Sequence, residues 1–164
     1  MIFYKRINPS KIIGIKEGDD LKLSTKGRYG LRALIDLAQH SEENPVSITS
    51  IAERQEISER YLEQLMSKLK KGGIVTSIRG AAGGYILAKP MEEISVGDVL
   101  RALEGNLDPV DCPGLLDEGC KSADSCVTKY VWKRINESIN RTVDEIRLDQ
   151  LVKGGIEDGE TDIS

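Results

Sequence analysis

Apolar residues recur every three or four positions in several stretches of the chain, which is the period of an amphipathic α-helix. The first stretch begins at Thr25 (TKGRYGLRALIDLAQH), the second follows Ser47 (ITSIAERQ), and the third begins at Ser58 (SERYLEQLMSKLKKGG). Ser47 and Ser58 are residues that commonly cap helix N-termini. The pattern therefore predicts three successive helices with a tight turn between the second and the third.

The third predicted helix has one apolar and one polar face. Its apolar face comprises Tyr61, Leu62, Leu65, Met66 and Leu69, and its exposed face comprises Glu59, Arg60, Glu63, Gln64, Lys68 and Lys71. After Gly72 and Gly73 the period changes to two: IVTSIR alternates as a strand does, GAAGG turns, and YILA returns as a second strand. Two helices joined by a turn and followed by a hairpin indicate a winged helix-turn-helix.

The second half of the chain predicts two more helices on either side of a loop. Ser95 and Asp98 have the spacing of a capping box, which opens a helix over VGDVLRALEG that ends at Gly105. Residues 106–125 are predicted as loop. The long helix after the loop has apolar residues on one face at Val127, Val131, Ile135, Ile139, Val143 and Ile146. Its other face is too polar for a central core helix, so we predict that it pairs with a second copy.

The predicted fold is therefore mainly α with a small β-hairpin: a winged helix-turn-helix plus a long dimerisation helix. We assign residues 21–90 to the DNA-binding domain, and residues 91–153 to the connecting helix, the cysteine loop and the dimerisation helix. Residues 154–164 are an acidic tail. Residues 1–20 have no clear period, and two explanations stay open for them: a disordered leader, or a misassigned start upstream of a true start at Leu21.

The overall charge conceals an asymmetry. The chain of 164 residues has a formal net charge of -4, yet positions 22–89 carry eleven basic and seven acidic side chains. This basic region is the part predicted to form the winged helix, which favours double-stranded DNA as the partner. The sequence shows neither a secretion signal nor an apolar run of about 20 residues, so we expect a cytoplasmic protein without a membrane partner.

Three cysteines, Cys112, Cys120 and Cys126, lie in the predicted loop with the spacing C-x7-C-x5-C. An odd number in a chain expected to be cytoplasmic favours metal ligation or a reactive thiol over a disulfide framework. The long, uneven gaps fit a structural zinc module poorly. A redox or electron-transfer protein is less favoured, because the chain has neither C-x-x-C nor ferredoxin-type spacings. We find no nucleophile and base constellation and predict that the protein is not an enzyme.

The segments LSTKGRYGLRALIDLA, ISERYLEQLMSKLKKGGIV, SIRGAAGGYILAKP and VGDVLRALEG together resemble the Rrf2 (Rrf-two) family of bacterial transcription factors. The resemblance covers about residues 21 to 152. It implies a homodimeric winged-helix protein that binds pseudo-palindromic DNA through the third helix and the wing. The predicted DNA-contacting residues are Lys26, Arg28, Ser58, Arg60, Tyr61, Glu63, Gln64, Lys68, Arg79, Gly80, Gly83, Gly84 and Tyr85. In the wing, the missing glycine side chains would let the backbone approach DNA beside Arg79.

Iron-sulfur members of this family carry three cysteines in the same loop and hold a 2Fe-2S cluster, so the resemblance implies Cys112, Cys120 and Cys126 as ligands. The first gap is commonly shorter in those members. Where some of them have a histidine as fourth ligand, this chain has Lys129, and where others have an acidic residue in the first helix, it has Arg28. The fourth ligand is therefore not identified. Candidates are His40, Asp111, Asp117, Glu118, Asp124 and an exogenous thiol or water.

The leading hypothesis is a homodimeric regulator whose DNA binding is tuned by this cluster. Loss of a labile cluster would alter the loop and, through it, the DNA affinity. The alternative within the family is a CymR-like repressor of sulfur and cysteine metabolism, controlled by a partner enzyme or by thiol oxidation without a cluster. Visible absorbance of anaerobically purified protein distinguishes the two.

Overall fold

The computed structural model describes residues 24–41, 44–111 and 126–154. Within these ranges a helical body carries one two-stranded antiparallel hairpin. The elements are α1 Thr25–His40, α2 Ile48–Gln55, α3 Glu59–Lys71, β1 Val75–Ile78, β2 Gly84–Leu87, α4 Val96–Glu104, α5 Thr128–Glu145 and α6 Leu148–Val152.

The predicted helices and the hairpin are confirmed, and the predicted caps begin the helices as expected. The Ser47 hydroxyl accepts a hydrogen bond from the Ser50 amide, and the Ser58 hydroxyl accepts one from the Tyr61 amide. At the start of α4, Ser95 and Asp98 form both hydrogen bonds of a capping box. Each cap satisfies amides that have no partner inside the helix, which is why these boundaries could be read from local sequence.

The core lies between α1, α2, α3 and α4. On α3 the side chains of Leu62, Leu65, Met66 and Leu69 are at most 1% exposed, as their spacing predicted, while Tyr61 is only partly buried. Val99 and Leu103 of α4 belong to the same buried cluster. A close packing of α1 on α4 depends on Gly30, because a β-carbon there would lie 2.3 Å from Leu103.

The chain returns to this core after α5. Leu148, at the start of α6, is 1% exposed and belongs to the core cluster. Its amide donates to the Ile94 carbonyl at 2.9 Å, and the Val96 amide donates to the Ile146 carbonyl at 2.9 Å. These two hydrogen bonds fasten the end of α5 to the start of α4.

Helix α5 is the least buried of the long helices. None of its residues is buried, and Tyr130, Val131 and Ile135 are exposed on its surface, as is Val127 just before it. Among the helices of the described residues, none combines the length and apolar character needed to cross a bilayer.

Candidate nucleic-acid interface and sensor loop

The start of the third helix and the start of the first lie side by side. The Thr25 hydroxyl is 3.4 Å from the Tyr61 hydroxyl, and the rings of Tyr29 and Tyr61 meet edge to face with their centroids 6.2 Å apart. The Arg28 guanidinium lies over the Tyr29 ring at 4.9 Å. Such contacts stabilise an aromatic pair and orient the cation. They bring the predicted residues Arg28 and Tyr61 onto one surface.

The polar face of α3 is available to a partner. Arg60, Glu63 and Gln64 are exposed, as the helical period predicted. Ser58, also exposed, caps α3 with its hydroxyl oxygen. Lys26, near the start of α1, is exposed as well.

Lys68 occupies a different environment from the one predicted. Its side chain is partly buried, and its ammonium group donates a 2.7 Å hydrogen bond to the carbonyl of Leu103, at the end of α4. The negative end of a helix dipole favours a cation there. Lys68 therefore joins α3 to α4, a contact that its position on a helical wheel does not reveal.

The wing is the β1–β2 hairpin, paired in register from Val75 with Leu87 to Ile78 with Gly84. Arg79 and Gly80 are exposed at its turn, and Gly80 has a positive φ of 120°. Tyr85 pairs with Val46 through two backbone hydrogen bonds of 2.8 and 2.9 Å, so the wing is fastened to the segment before α2. This attachment fixes the base of the hairpin relative to α2, the first helix of the helix-turn-helix.

Two wing glycines are required by the protein's own backbone. A β-carbon on Gly84 would lie 2.4 Å from the Val46 carbonyl oxygen, and one on Gly83 would lie 2.5 Å from the Ile78 carbonyl oxygen. Contacts this short would force the backbone to shift. The internal packing thus accounts for both glycines, and their approach to DNA stays a prediction.

A buried carboxylate clamps α1 to the end of α2. Asp36 is 3% exposed and accepts hydrogen bonds from the Arg54 guanidinium and from the Gln55 amide, the latter at 2.8 Å. Burial raises the pKa of Asp36, but these hydrogen bonds and the Arg54 charge outweigh it, so the pKa lies below its usual value. Arg32 completes the network by donating to both oxygens of Gln55.

This clamp fixes the turn that sets the direction of α3. Gln55 ends α2, Glu56 then takes a left-handed conformation with φ of 55°, and Ser58 caps α3. Sequence reasoning missed the network. The one available signal was an aspartate, Asp36, surrounded by the apolar residues of LIDLA.

The described part of the cysteine loop is anchored to α5 by side-chain amides. The Asn106 amide donates to Asp108 at 2.8 Å, and the Asn136 amide donates to the same carboxylate at 3.1 Å. Asn140 in turn donates to the Asn136 side chain at 2.7 Å. The described start of the loop, residues 105–111, is therefore fastened to the side of α5 at Asp108.

Cys126 is the one predicted cluster ligand inside the described ranges; Cys112 and Cys120 lie outside them. Its sulfur is 3.3 Å from the Thr128 hydroxyl. That hydrogen bond and the backbone amide of Lys129 lower the pKa of the Cys126 thiol. The thiolate is the form that ligates iron, so this environment suits a ligand.

Two of the candidates for a fourth ligand lie among the described residues, and three lie outside them. His40 ends α1, with its Nδ1 atom 2.8 Å from the Asp36 carbonyl oxygen, and Asp111 is exposed in the loop. Asp117, Glu118 and Asp124 lie outside the described residues. No group of three metal-binding side chains forms among residues 24–41, 44–111 and 126–154.

The fold and the exposed face of α3 define a winged-helix DNA-binding regulator, and comparisons with known proteins agree. Residues 23–154 match the family model Rrf2, described as an iron-dependent transcriptional regulator. The chain is 45% identical over 132 residues to the HTH-type transcriptional regulator IscR of Pectobacterium carotovorum. The matched segment covers 80% of this chain and 79% of that protein. The chain belongs to the Rrf2 family of transcriptional regulators.

Two solved structures extend the comparison. The IscR structure from T. potens is 48% identical, covers 81% of this chain and 87% of its own, and superposes with a TM-score of 0.65. The structure of CymR, the global cysteine regulator of B. subtilis, is 41% identical, covers 83% of this chain and 99% of its own, and has a TM-score of 0.67. The predicted family, the winged-helix fold and the regulatory rather than enzymatic role are thereby confirmed.

Proposed function

We propose that the protein works as a homodimer that binds a pseudo-palindromic operator with α3 and the wing of each protomer. The observation that carries the dimer is the exposed stripe near the start of α5, where Val127, Tyr130 and Val131 are 80, 72 and 53% exposed. Exposed apolar patches of this kind usually mark an interface. A second α5 laid against the stripe would bury it and hold two winged helices one operator spacing apart.

The chemistry of the α3 face suits base recognition. Arginine pairs well with guanine, glutamine with adenine, and glutamate accepts from cytosine, so Arg60, Gln64 and Glu63 are assigned to the major groove. Ser58, Tyr61, Lys26 and Arg28 are assigned to the phosphates around it. Arg79, supported by Gly80 at the tip of the wing, is assigned to the neighbouring minor groove.

Arg79→Ala tests the wing assignment. The affinity for an operator duplex selected from random DNA should fall, and the slope of log affinity against log salt should decrease by about one, because one phosphate or groove contact is lost. Arg141→Ala, which removes the same charge from the exposed face of α5, is the control and should leave the slope unchanged. An unchanged slope in Arg79→Ala would show that Arg79 does not contact the DNA.

The regulator senses, in this proposal, through an iron-sulfur cluster of the 2Fe-2S type held by Cys112, Cys120 and Cys126. The relatives named IscR, the iron-dependent description of the family model and the lowered pKa of Cys126 support it. When bound, such a group supplies a reversible, oxidant-sensitive link between the ends of the loop. The fourth ligand comes from the candidates named above or from a small thiol.

A second candidate is a cluster-free repressor of cysteine metabolism that responds to thiol oxidation or to a sulfur-metabolism enzyme as partner. Its support is the likeness to the CymR structure and Lys129, which stands where a histidine ligand would be. In this version the lowered pKa of Cys126 serves oxidation rather than iron binding.

Anaerobic purification with iron and sulfide analysis separates the two candidates. A cluster regulator should contain about two irons and two sulfides per chain, show visible absorbance, and lose both on Cys126→Ala. Cys126→Ser keeps the size of the side chain and serves as a second test of the ligand. A colourless protein after reconstitution, with DNA binding that changes on thiol oxidation, would support the cluster-free repressor.

A further inference from the structure

The last turn of α4 touches both helices that carry the proposed DNA contacts. From α3, the Lys68 ammonium donates to the Leu103 carbonyl at 2.7 Å. One turn further along, Gly72 packs so closely on Ala102 that a β-carbon there would lie 2.7 Å from the Ala102 side chain. The end of α3 therefore cannot move independently of the end of α4.

The same turn of α4 holds the start of α1. The Glu104 carboxylate accepts hydrogen bonds from the Ser24 hydroxyl at 2.6 and 2.8 Å and from the Gly27 amide at 2.8 Å. A carboxylate at a helix N-terminus satisfies free amides and is favoured by the helix dipole. Glu104 thus caps α1 beside Lys26 and Arg28.

The sensor loop begins at the next residue. Gly105 follows Glu104 directly, and the Asp108 carboxylate accepts hydrogen bonds from Asn106 and from Asn136 of α5. A shift of residues 105–108 relative to α5 would act first on the terminal turn of α4, which directly precedes them. That turn is therefore the point at which the loop meets the DNA-binding elements.

We propose that Lys68 and Glu104 are positioning residues that couple the state of the cysteine loop to the placement of α3 and α1 on DNA. The inference rests on the proposed sensing role of the loop and adds the route by which it acts. The two contacts use opposite charges. The Lys68 cation meets the carbonyl end of α4, and the Glu104 carboxylate meets the amide end of α1. A displaced terminal turn would strain both contacts and so shift both helices.

Glu104 gives the cleaner test, because an acidic side chain does not bind phosphates. Glu104→Gln keeps the size of the side chain but removes its charge from the start of α1. Glu93→Gln makes the same change of charge at an exposed position before the other end of α4 and is the control. Lys68→Met removes the second contact, and thermal melts of all variants establish that they fold.

The readout is the ratio of operator affinities with the loop in two states, with cluster and without it. Should iron analysis find no cluster, free and iodoacetamide-alkylated thiols replace these two states, so a failure of the cluster proposal leaves this test intact. Coupled sites typically differ by about 5- to 150-fold. The wild type and Glu93→Gln should show such a ratio, and Glu104→Gln and Lys68→Met should bring it to within about twofold of one.

The coupling proposal is overturned by a wild-type ratio of one, or by variants that keep the full ratio. A distinct result would be Lys68→Met with an intact ratio and a salt slope lower by about one. Lys68 would then be a phosphate contact, as the sequence suggested, and not a coupling residue.

Discussion

The winged-helix core and α5 carry the same kind of apolar stripe, yet only the core buries it. On α3 the stripe of Leu62, Leu65, Met66 and Leu69 is closed off by α1, α2 and α4. On α5 no residue is buried, and Val131 remains more than half exposed. The same periodicity therefore has two outcomes, a closed core on α3 and an exposed apolar stripe on α5.

The two regions also differ in what attaches them. Helix α5 is held to α4 by polar side chains: Arg101 donates to Asn140 at 2.8 Å and pairs with Asp144. A polar attachment of this kind contributes less than apolar burial, but it fixes direction. It turns the apolar stripe of α5 outward, where a second protomer can reach it.

The largest test of this contrast is truncation of one residue from each stripe. Leu65→Ala should lower the free energy of unfolding by about 2 to 5 kcal/mol, because it leaves a cavity in a closed core. Val131→Ala should change the folding of a protomer by less than about 0.5 kcal/mol. Urea denaturation at several protein concentrations measures both, since a dimer contact is concentration dependent. Equal losses would contradict the distinction.

The next largest loss of stability is expected from breaking the buried ion pair between Asp36 and Arg54. Asp36→Ala should cost about 3 kcal/mol, the lower end for breaking a buried pair, because Arg54 keeps access to water. Asp149→Ala removes an ion pair whose lysine, Lys153, is 69% exposed, and it should cost less than about 1 kcal/mol. Thermal and chemical unfolding of the two variants gives the comparison.

The same residue predicts an acid dependence. Because the folded-state pKa of Asp36 is depressed, its stabilisation is fully present above its ordinary value of 3.8 and is lost as the pH falls below that value through the folded pKa. The free energy of unfolding, plotted against pH between about 2 and 6, should therefore change less in Asp36→Asn than in the wild type. Parallel curves would assign the acid sensitivity to other carboxylates.

Acidic substitutions in the apolar stripe of α5 should prevent dimerisation without unfolding the protomer. Val131→Asp combined with Ile135→Asp places two like charges in the proposed dimer contact, so the protein should sediment as a monomer while its helix content is unchanged. DNA affinity should fall with the loss of the second half-site. A variant that still sediments as a dimer would place the interface elsewhere.

The smallest effect is expected from the polar attachment of α5. Arg101→Ala should destabilise the protein by about 1 kcal/mol, since the guanidinium is partly exposed and solvent replaces some of its hydrogen bonds. Hydrogen exchange should increase in α5 more than in α3. An equal increase in both helices would mean that α5 and the core unfold as one unit.

Much of the interface could be predicted from local sequence, and some of it could not. The exposed positions of Arg60, Glu63 and Gln64 follow from helical period alone. The environment of Lys68 does not, because its partner is 35 residues away, at the end of another helix. The approach of Gly84 to DNA stays a prediction, whereas the need for glycine there comes from the fold, because a β-carbon would meet the Val46 carbonyl.

The sequence by itself determined the helices, the hairpin and the family, because period, caps and turn residues act over a few neighbouring positions. Tertiary structure alone decided which polar residues meet. The Glu104 cap on α1 joins residues 80 positions apart, and the Asp36 clamp needs the packed crossing of α1 and α2. For α5 the polar face already predicted pairing outside the core, and the structure adds that Val127, Tyr130 and Val131 are exposed. An apolar period indicates that a face will be buried but not by which partner.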